Sequence, residues 1–397
     1  MYKIISPLLA FPALLPLVAC SSAGNDEPPL IIDPVDPVHR TVLVYMVAKN
    51  NLHSDIYPEE DYDHLDIKEM QQAAAAGGLN GGRLIVYHSS GNEAPKLIEI
   101  TPDGSQEILR TYPASSVSVS ASQMEQVLDD TQLLAPASDY GIVLWSHGSG
   151  WLEDGIEQLP LTRSFGLEGS SSTMNISVMA DVLRNRDLSF IYFDCCFMAS
   201  VEVFYELREC APYIVASASE LPVYGMDYAA NIPCFLTSGE PDLKQAVKNT
   251  FDSYDRREGE WRTCTISLVE TSTLDNVAAA ARNLYSDISI PYNITSVPQR
   301  FLRGTNYYYD LSDYVNKIEK VDASKADALS DAVDNAVICK YNTPSLWPGT
   351  QFDEVKINTH CGMSTYIVRS AGDADKKGYR NLKWYKDVVS VMLNNSL

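Results

Sequence analysis

The chain has 397 residues, 45% of them hydrophobic, enough to bury a sizeable core in one large domain or two modest ones and too apolar to be disordered over most of its length. Its 52 acidic residues outnumber 30 basic ones and leave a formal charge of −22. That balance repels phosphate backbones, so nucleic acid is excluded as an expected partner and basic polypeptides are favoured.

At the N-terminus, Lys3 precedes the apolar run IISPLLAFPALLPLVAC, which is too short and too interrupted by proline to span a bilayer. It closes on Leu17-Val18-Ala19-Cys20, a pattern that resembles the lipobox of bacterial lipoproteins. Residues 1–19 therefore read as a signal peptide, with Cys20 lipidated and first in the mature chain. Residues 20–40, rich in small, acidic and proline residues, read as a tether. The expected location is the bacterial cell envelope, on a membrane facing the periplasm or at the cell surface.

Next come short, nearly continuous apolar runs at 41–48, 83–88, 140–146, 188–194 and 213–217, the pattern of strands buried on both faces. Helical spacing of apolar residues predicts helices over 64–75, 122–134, 176–185 and 198–209. This alternation predicts an α/β fold with a mainly parallel central sheet flanked by helices, and such sheets carry their sites beyond the carboxyl ends of the strands. Residues 41–290 form the expected main domain. A C-terminal region, 291–397, would pack on it and complete the sheet, with a helix over 324–339 and a late strand over 363–369. The cluster Tyr307-Tyr308-Tyr309 reads as core packing.

Two strand exits carry reactive side chains. His147 follows the third run inside Ser146-His147-Gly148-Ser149-Gly150, where glycines allow a sharp turn and close approach of a substrate backbone. Asp194, Cys195 and Cys196 follow the fourth, where the pattern places a helix start. A thiol there would face unpaired N–H groups and the positive end of the helix dipole, which favour the thiolate. Cys196 is the candidate nucleophile, with His147 at a neighbouring strand end. No third member of a triad is evident, and the chain lacks HExxH, CxxC pairs, a phosphate loop and a GxSxG elbow. The other histidines are scattered, so no metal site is expected. Of the seven cysteines after Cys20, most sit in apolar contexts and are expected to be buried and free.

VLWSHGSGW (143–151) and FDCCFMASVEVFYEL (193–207) resemble the paired motifs of the clostripain-like cysteine peptidases. TVLVYMVAKNNL (41–52), YGMDY (224–228), TISLVETSTLDNV (265–277) and YYDLSDYV (308–315) resemble further segments of that family, extending the likeness over 41–397. The resemblance implies a caspase-haemoglobinase-type sandwich, a His147–Cys196 dyad, and an oxyanion hole to which the Gly148 N–H contributes. It implies cleavage after arginine or lysine, with Asp194, Asp227 and Glu220 as candidate substrate-binding carboxylates; Asp194 has the alternative role of a helix N-cap. It also implies activation by cleavage between the dyad motifs, where Arg163 lies in a polar, glycine- and serine-rich stretch. Calcium is implied by the family alone, and Lys49 stands where the family usually has aspartate. Cys195 stands where it commonly has alanine, and is expected to be an inert neighbour. Two function classes stay open: a monomeric, lipid-anchored cysteine endopeptidase, or a non-catalytic lipoprotein that uses the same fold to bind polypeptides.

Overall fold

The computed structural model describes residues 36–57, 61–153, 165–169, 172–304, 307–350 and 353–394. From Val35 onward the chain is one compact unit. Its strands include β1 (Val38–Ala48), β2 (Arg83–Ser90), β3 (Lys96–Ile100), β4 (Gln106–Thr111), β5 (Ala137–Trp145), a small hairpin of β6 (Phe165–Glu168) and β7 (Ser172–Met174), β8 (Leu188–Asp194), β9 (Tyr213–Ala216), β10 (Thr265–Glu270), the two-residue β11 (Tyr309–Asp310) and β12 (Val337–Asn342). Nine of them form one sheet in the order β12-β10-β9-β8-β5-β1-β2-β3-β4.

The middle of that sheet, β9-β8-β5-β1-β2, is parallel throughout, and these five strands are the five apolar runs of the sequence. The outer strands β3, β4, β10 and β12 pair antiparallel. The two edge strands, β4 and β12, lack a continuous apolar run, and β4 is largely exposed.

Alternation along β1 sends its side chains to two cores. Leu43, Tyr45 and Val47 enter one with α2 (Ala121–Leu134), α3 (Ile176–Leu183), α4 (Val201–Leu207), α7 (Leu274–Tyr285) and α9 (Ala323–Ala336). Val42, Val44 and Met46 enter the other with α1 (Tyr62–Ala75), α5 (Tyr228–Phe235) and α6 (Leu243–Asp255). The result is a mostly parallel sheet between two helical layers, as the alternation predicts. Among the described residues no helix is long and apolar enough to cross a membrane.

Four expectations from the sequence need correction. The tether placed over 20–40 gives way to β1 at Val38, and the helix placed over 324–339 ends at Ala336, where β12 begins. The helix placed over 198–209 begins only at Val201, capped by the Ser200 hydroxyl, which accepts from the Val203 N–H. Of the strand placed over 363–369, only Ser364–Thr365 is extended and paired, against β11. Its apolar residues Met363, Tyr366, Ile367 and Val368 instead pack into the first core, so burial rather than sheet pairing accounts for their hydrophobicity.

Candidate active site

After β1 the chain moves to β2 on one side, and later to β5 on the other, so the carboxyl ends of β1 and β5 flank a topological switch point. Trp145 at the end of β5 is in register with Asp194 at the end of β8. His147 and Cys196 each lie two residues past that matched pair, and both line one cavity of about 240 Å³. That is less than the roughly 300–1,000 Å³ of a drug-sized ligand site. It suits one side chain and a stretch of peptide backbone.

Glycines bring the two turns together. A Cβ on Gly148 would lie 2.6 Å from the Cys196 carbonyl oxygen and 2.8 Å from Cys195 Cβ, and one on Gly150 would lie 2.8 Å from the Phe197 carbonyl oxygen. No other residue allows this approach without displacing backbone. Ser146 fixes the near side, its hydroxyl donating to the Val47 carbonyl at 2.8 Å. His147 Nε2 meets Asn51 Oδ1 at 2.8 Å. An amide oxygen accepts, so Nε2 carries the hydrogen and Nδ1 is the basic nitrogen. Asn51 therefore stands where a triad's orienting residue would, a role the sequence reading missed. Its one signal is position: it follows the exit of β1.

The cysteine turn is not a helix start. Phe197 adopts φ +61° and stacks on Tyr308 at 4.2 Å, while the Tyr308 hydroxyl donates to the Ser149 carbonyl at 2.9 Å. The Phe197 and Ala199 N–H groups donate to the Ser219 and Ser217 carbonyls. A left-handed non-glycine residue beside a reactive group is a local strain that the surrounding packing must hold. With the helix start at Ser200, its dipole does not act on Cys196. Burial, then the Glu220 charge, pushes the Cys196 thiol up to about 12 rather than down. Its sulfur accepts from the Leu221 N–H at 3.4 Å and donates to the Leu221 carbonyl at 3.6 Å. Cys195 turns the other way: its sulfur is buried and donates to the Leu144 carbonyl at 2.9 Å.

The carboxylates separate into two groups. Asp194 and Glu220 line the cavity, and no lysine or arginine is among the described residues that do so. Asp194 Oδ2 accepts from the Met226 N–H at 3.1 Å and the Tyr228 hydroxyl at 3.0 Å, yet burial outweighs both and pushes its carboxyl up to about 6. Because α4 is capped by Ser200, Asp194 is not the helix N-cap of the alternative reading. Behind it lies Asp66, held by the Trp145 indole N–H at 2.6 Å; burial and the charge of Asp194 push it well above the usual carboxylate range. Gly225 packs against both, since a Cβ there would lie 2.8 Å from Asp194 Oδ2 and 3.1 Å from Asp66 Oδ2. Glu220 is raised mainly by burial, and accepts from the Trp347 indole N–H at 2.8 Å. Asp227 is different. It caps α5, accepting from the Ala230 N–H at 2.9 Å, and is not among the residues lining the cavity.

Gly148 lines the cavity. Cys20 and Arg163 lie outside the described residues. The seven later cysteines are free thiols, four buried and three partly buried. At the end of β1, Lys49 reaches Glu168 at 3.4 Å, so a cation's place there is taken by its ammonium group. The histidines are less scattered than the sequence suggests. His53, His64 and His88 come together around Asp61 and Asp63, and among the described residues His53, Asp61, Asp63 and His64 form the one group with metal-binding proximity. Two imidazoles in the set do not suit calcium, which takes oxygen ligands.

The sequence model of the clostripain family, peptidase C11, matches residues 44–390. The chain belongs to the clostripain family. It is similar to an inactive zymogen of a C11 protease from Parabacteroides distasonis: 29% identity, 89% of this chain and 99% of that one covered, TM-score 0.75. A secreted C11 cysteine protease from Bacteroides thetaiotaomicron bound to an irreversible peptide inhibitor is 28% identical over 88% of this chain and 98% of that one, with TM-score 0.72. The secreted protease called iotapain, from the same species, shares the fold at 24% identity, with 89% and 100% covered and TM-score 0.76. None of the curated protein sequences matches the chain significantly. This clostripain-family chain is thus a cysteine protease by descent and by fold.

Proposed function

We propose that this clostripain-family protein is an exported endopeptidase that cleaves after arginine or lysine, with Cys196 as nucleophile and His147 as general base and acid. One observation carries the proposal: His147 and Cys196 share a cavity with Asp194 and Glu220, and the described lining offers those carboxylates no lysine or arginine. Placing negative charge beside a thiol opposes thiolate formation, a disadvantage that a basic substrate side chain in the cavity removes.

In this mechanism His147 Nδ1 takes the thiol proton as Cys196 Sγ bonds to the scissile carbonyl carbon, and the Gly148 N–H faces the developing oxyanion. The imidazolium then gives its proton to the leaving amine as the C–N bond breaks. Water, deprotonated by the same nitrogen, hydrolyses the thioester, and the thiol is restored.

The hydrogen bonds that tie the Cys196 thiol to the Leu221 backbone further support a latent precursor, activated by cleavage after Arg163. The Parabacteroides relative described as a zymogen is consistent with latency, and the secreted Bacteroides relatives with export. Anchorage through lipidated Cys20 completes the proposal; incorporation of a palmitate analogue, lost in Cys20→Ala, would test it. The activity is tested by a peptide-library cleavage profile before and after limited proteolysis. Cleavage after arginine and lysine, increased by a cut at Arg163 and absent in Cys196→Ala, is expected. Cleavage after other residues would refute the specificity, and full activity of Arg163→Ala would refute processing there.

A further inference from the structure

We propose that His53, Asp61, Asp63 and His64 form a binding site for one divalent transition-metal ion of the zinc class, on the far side of the turn that carries Asn51. The four residues come from two segments. His53 ends the turn that leaves β1, its N–H donating to the Asn50 carbonyl. Asp61, Asp63 and His64 lie at and just inside the start of α1.

Their ligand atoms converge. His53 Nδ1 is 3.0 Å from Asp61 Oδ1 and 3.2 Å from Asp63 Oδ1, while His64 Nδ1 is 3.0 Å from Asp61 and 3.7 Å from Asp63 Oδ1. Zinc bonds to imidazole nitrogen and carboxylate oxygen are about 2.0–2.2 Å, so ligand atoms at the corners of a tetrahedron around it stand roughly 3.3–3.6 Å apart. The observed separations bracket that spacing, and all four atoms lie within 4.8 Å of one another.

Hydrogen bonding alone accounts poorly for the arrangement. His53 Nδ1 also has Ser90 Oγ at 2.8 Å, so three oxygens crowd a nitrogen that has at most one hydrogen to offer. The surrounding groups have the form of an outer ligand shell. His53 Nε2 is 3.0 Å from Asp55 Oδ1, and His88 Nε2 is 2.8 Å from Asp63 Oδ2, the oxygen turned away from His53. Each contact leaves one atom of its residue directed at the centre, as outer-shell partners of metal ligands do. Access is open on one side: the His64 side chain is 53% exposed, whereas Asp63 is fully buried. Two nitrogens and two oxygens favour zinc, cobalt or nickel over calcium or magnesium.

An ion there would tie the first turn of α1 to the segment two residues beyond Asn51, bracing the contact to His147. The test uses the full chain carrying Cys196→Ala in detergent, to prevent self-cleavage and remove a thiol that lines the cavity. Zinc is measured by equilibrium dialysis, and cobalt by visible absorption. The expected result is one zinc per chain, a rise in Tm with zinc, and tetrahedral cobalt bands without thiolate charge transfer. His64→Ala and Asp61→Asn, both at solvent-accessible positions, are expected to weaken zinc about tenfold or more each while keeping the metal-free Tm within a few degrees. Unchanged zinc affinity in both variants, a thiolate-to-cobalt band, or tighter binding of calcium than zinc would overturn the proposal.

Discussion

Two clusters of carboxylates, separated by the first turns of α1, show opposite solutions to the same electrostatic problem. At the histidine cluster, burial would raise Asp63, but the hydrogen bond from His88 prevails and holds it below the usual carboxylate range. Burial likewise opposes charge on His53, but its hydrogen bonds to Asp55 and Asp63 hold the imidazole above its usual value. There the carboxylates meet imidazoles of the protein itself. Asp194 and Glu220 in the cleft, and Asp66 behind it, are all raised by burial, and their hydrogen-bond donors are neutral. A protein tolerates such groups at a cost in stability, and that cost is most readily understood where the missing cation arrives with a substrate.

The comparison is broken most severely at Asp194. Asp194→Asn keeps the size and the acceptor for Tyr228 but removes the charge, and turnover of arginyl and lysyl peptides is expected to fall about a hundredfold or more, the scale of truncating a buried charge partner. Stability should move the other way. A carboxyl raised from 3.8 to about 6 in the folded state stabilises the protein when protonated, an effect fully present below the unfolded value and lost as pH rises through about 6. Above that pH, Asp194→Asn should gain up to about 3 kcal/mol in urea unfolding, and below pH 4 almost nothing. A variant that keeps parent turnover and shows no pH-dependent gain would remove the cleft from the comparison.

Asn51 gives the next effect. Asn51→Ala removes the acceptor on His147 Nε2, so kcat should fall about ten- to a hundredfold, the worth of a hydrogen bond to a group that becomes charged. KM should change little, and the acid limb of the pH–rate profile should shift to lower pH as the imidazolium loses support. Loss of KM alone would assign Asn51 to binding instead.

The smallest effects sharpen the comparison by their smallness. Cys195→Ala should leave turnover within about threefold while lowering stability by about 1 kcal/mol, since the Cys195 sulfur points into the core. Asp227→Asn should alter neither, because asparagine caps a helix as well as aspartate does. A large loss of basic-peptide turnover in Asp227→Asn, with Asp194→Asn unaffected, would exchange their roles.

The parts of this molecule that could be read from sequence share a physical cause. The five central strands are buried on both faces, so each was a near-continuous apolar run, and the glycines around His147 marked a close approach that the contact with Cys196 requires. The family likeness added the pairing of His147 with Cys196. What escaped was set by tertiary placement. The thiol was expected to be acidic at a helix start, but the chain runs on through Phe197 to Ser200 before the helix begins, and burial reverses the shift. Asn51 and Asp66 lie far in sequence from His147 and Trp145, and His88 on β2 lies far from Asp63 on α1. No spacing rule joins them, because strand order rather than chain order made them neighbours.

The most direct test of the central claim is covalent trapping. The full chain, before and after cleavage between the dyad motifs, would be treated with a peptidyl arginine electrophile and with its norleucine counterpart, and the modified residue located by mass spectrometry. The arginine probe should attach to Cys196, faster after cleavage, while the norleucine probe, Cys196→Ala and Asp194→Asn all react far more slowly. Equal labelling by both probes, or attachment at Cys195 in place of Cys196, would contradict a basic-specific cleft served by the His147–Cys196 pair.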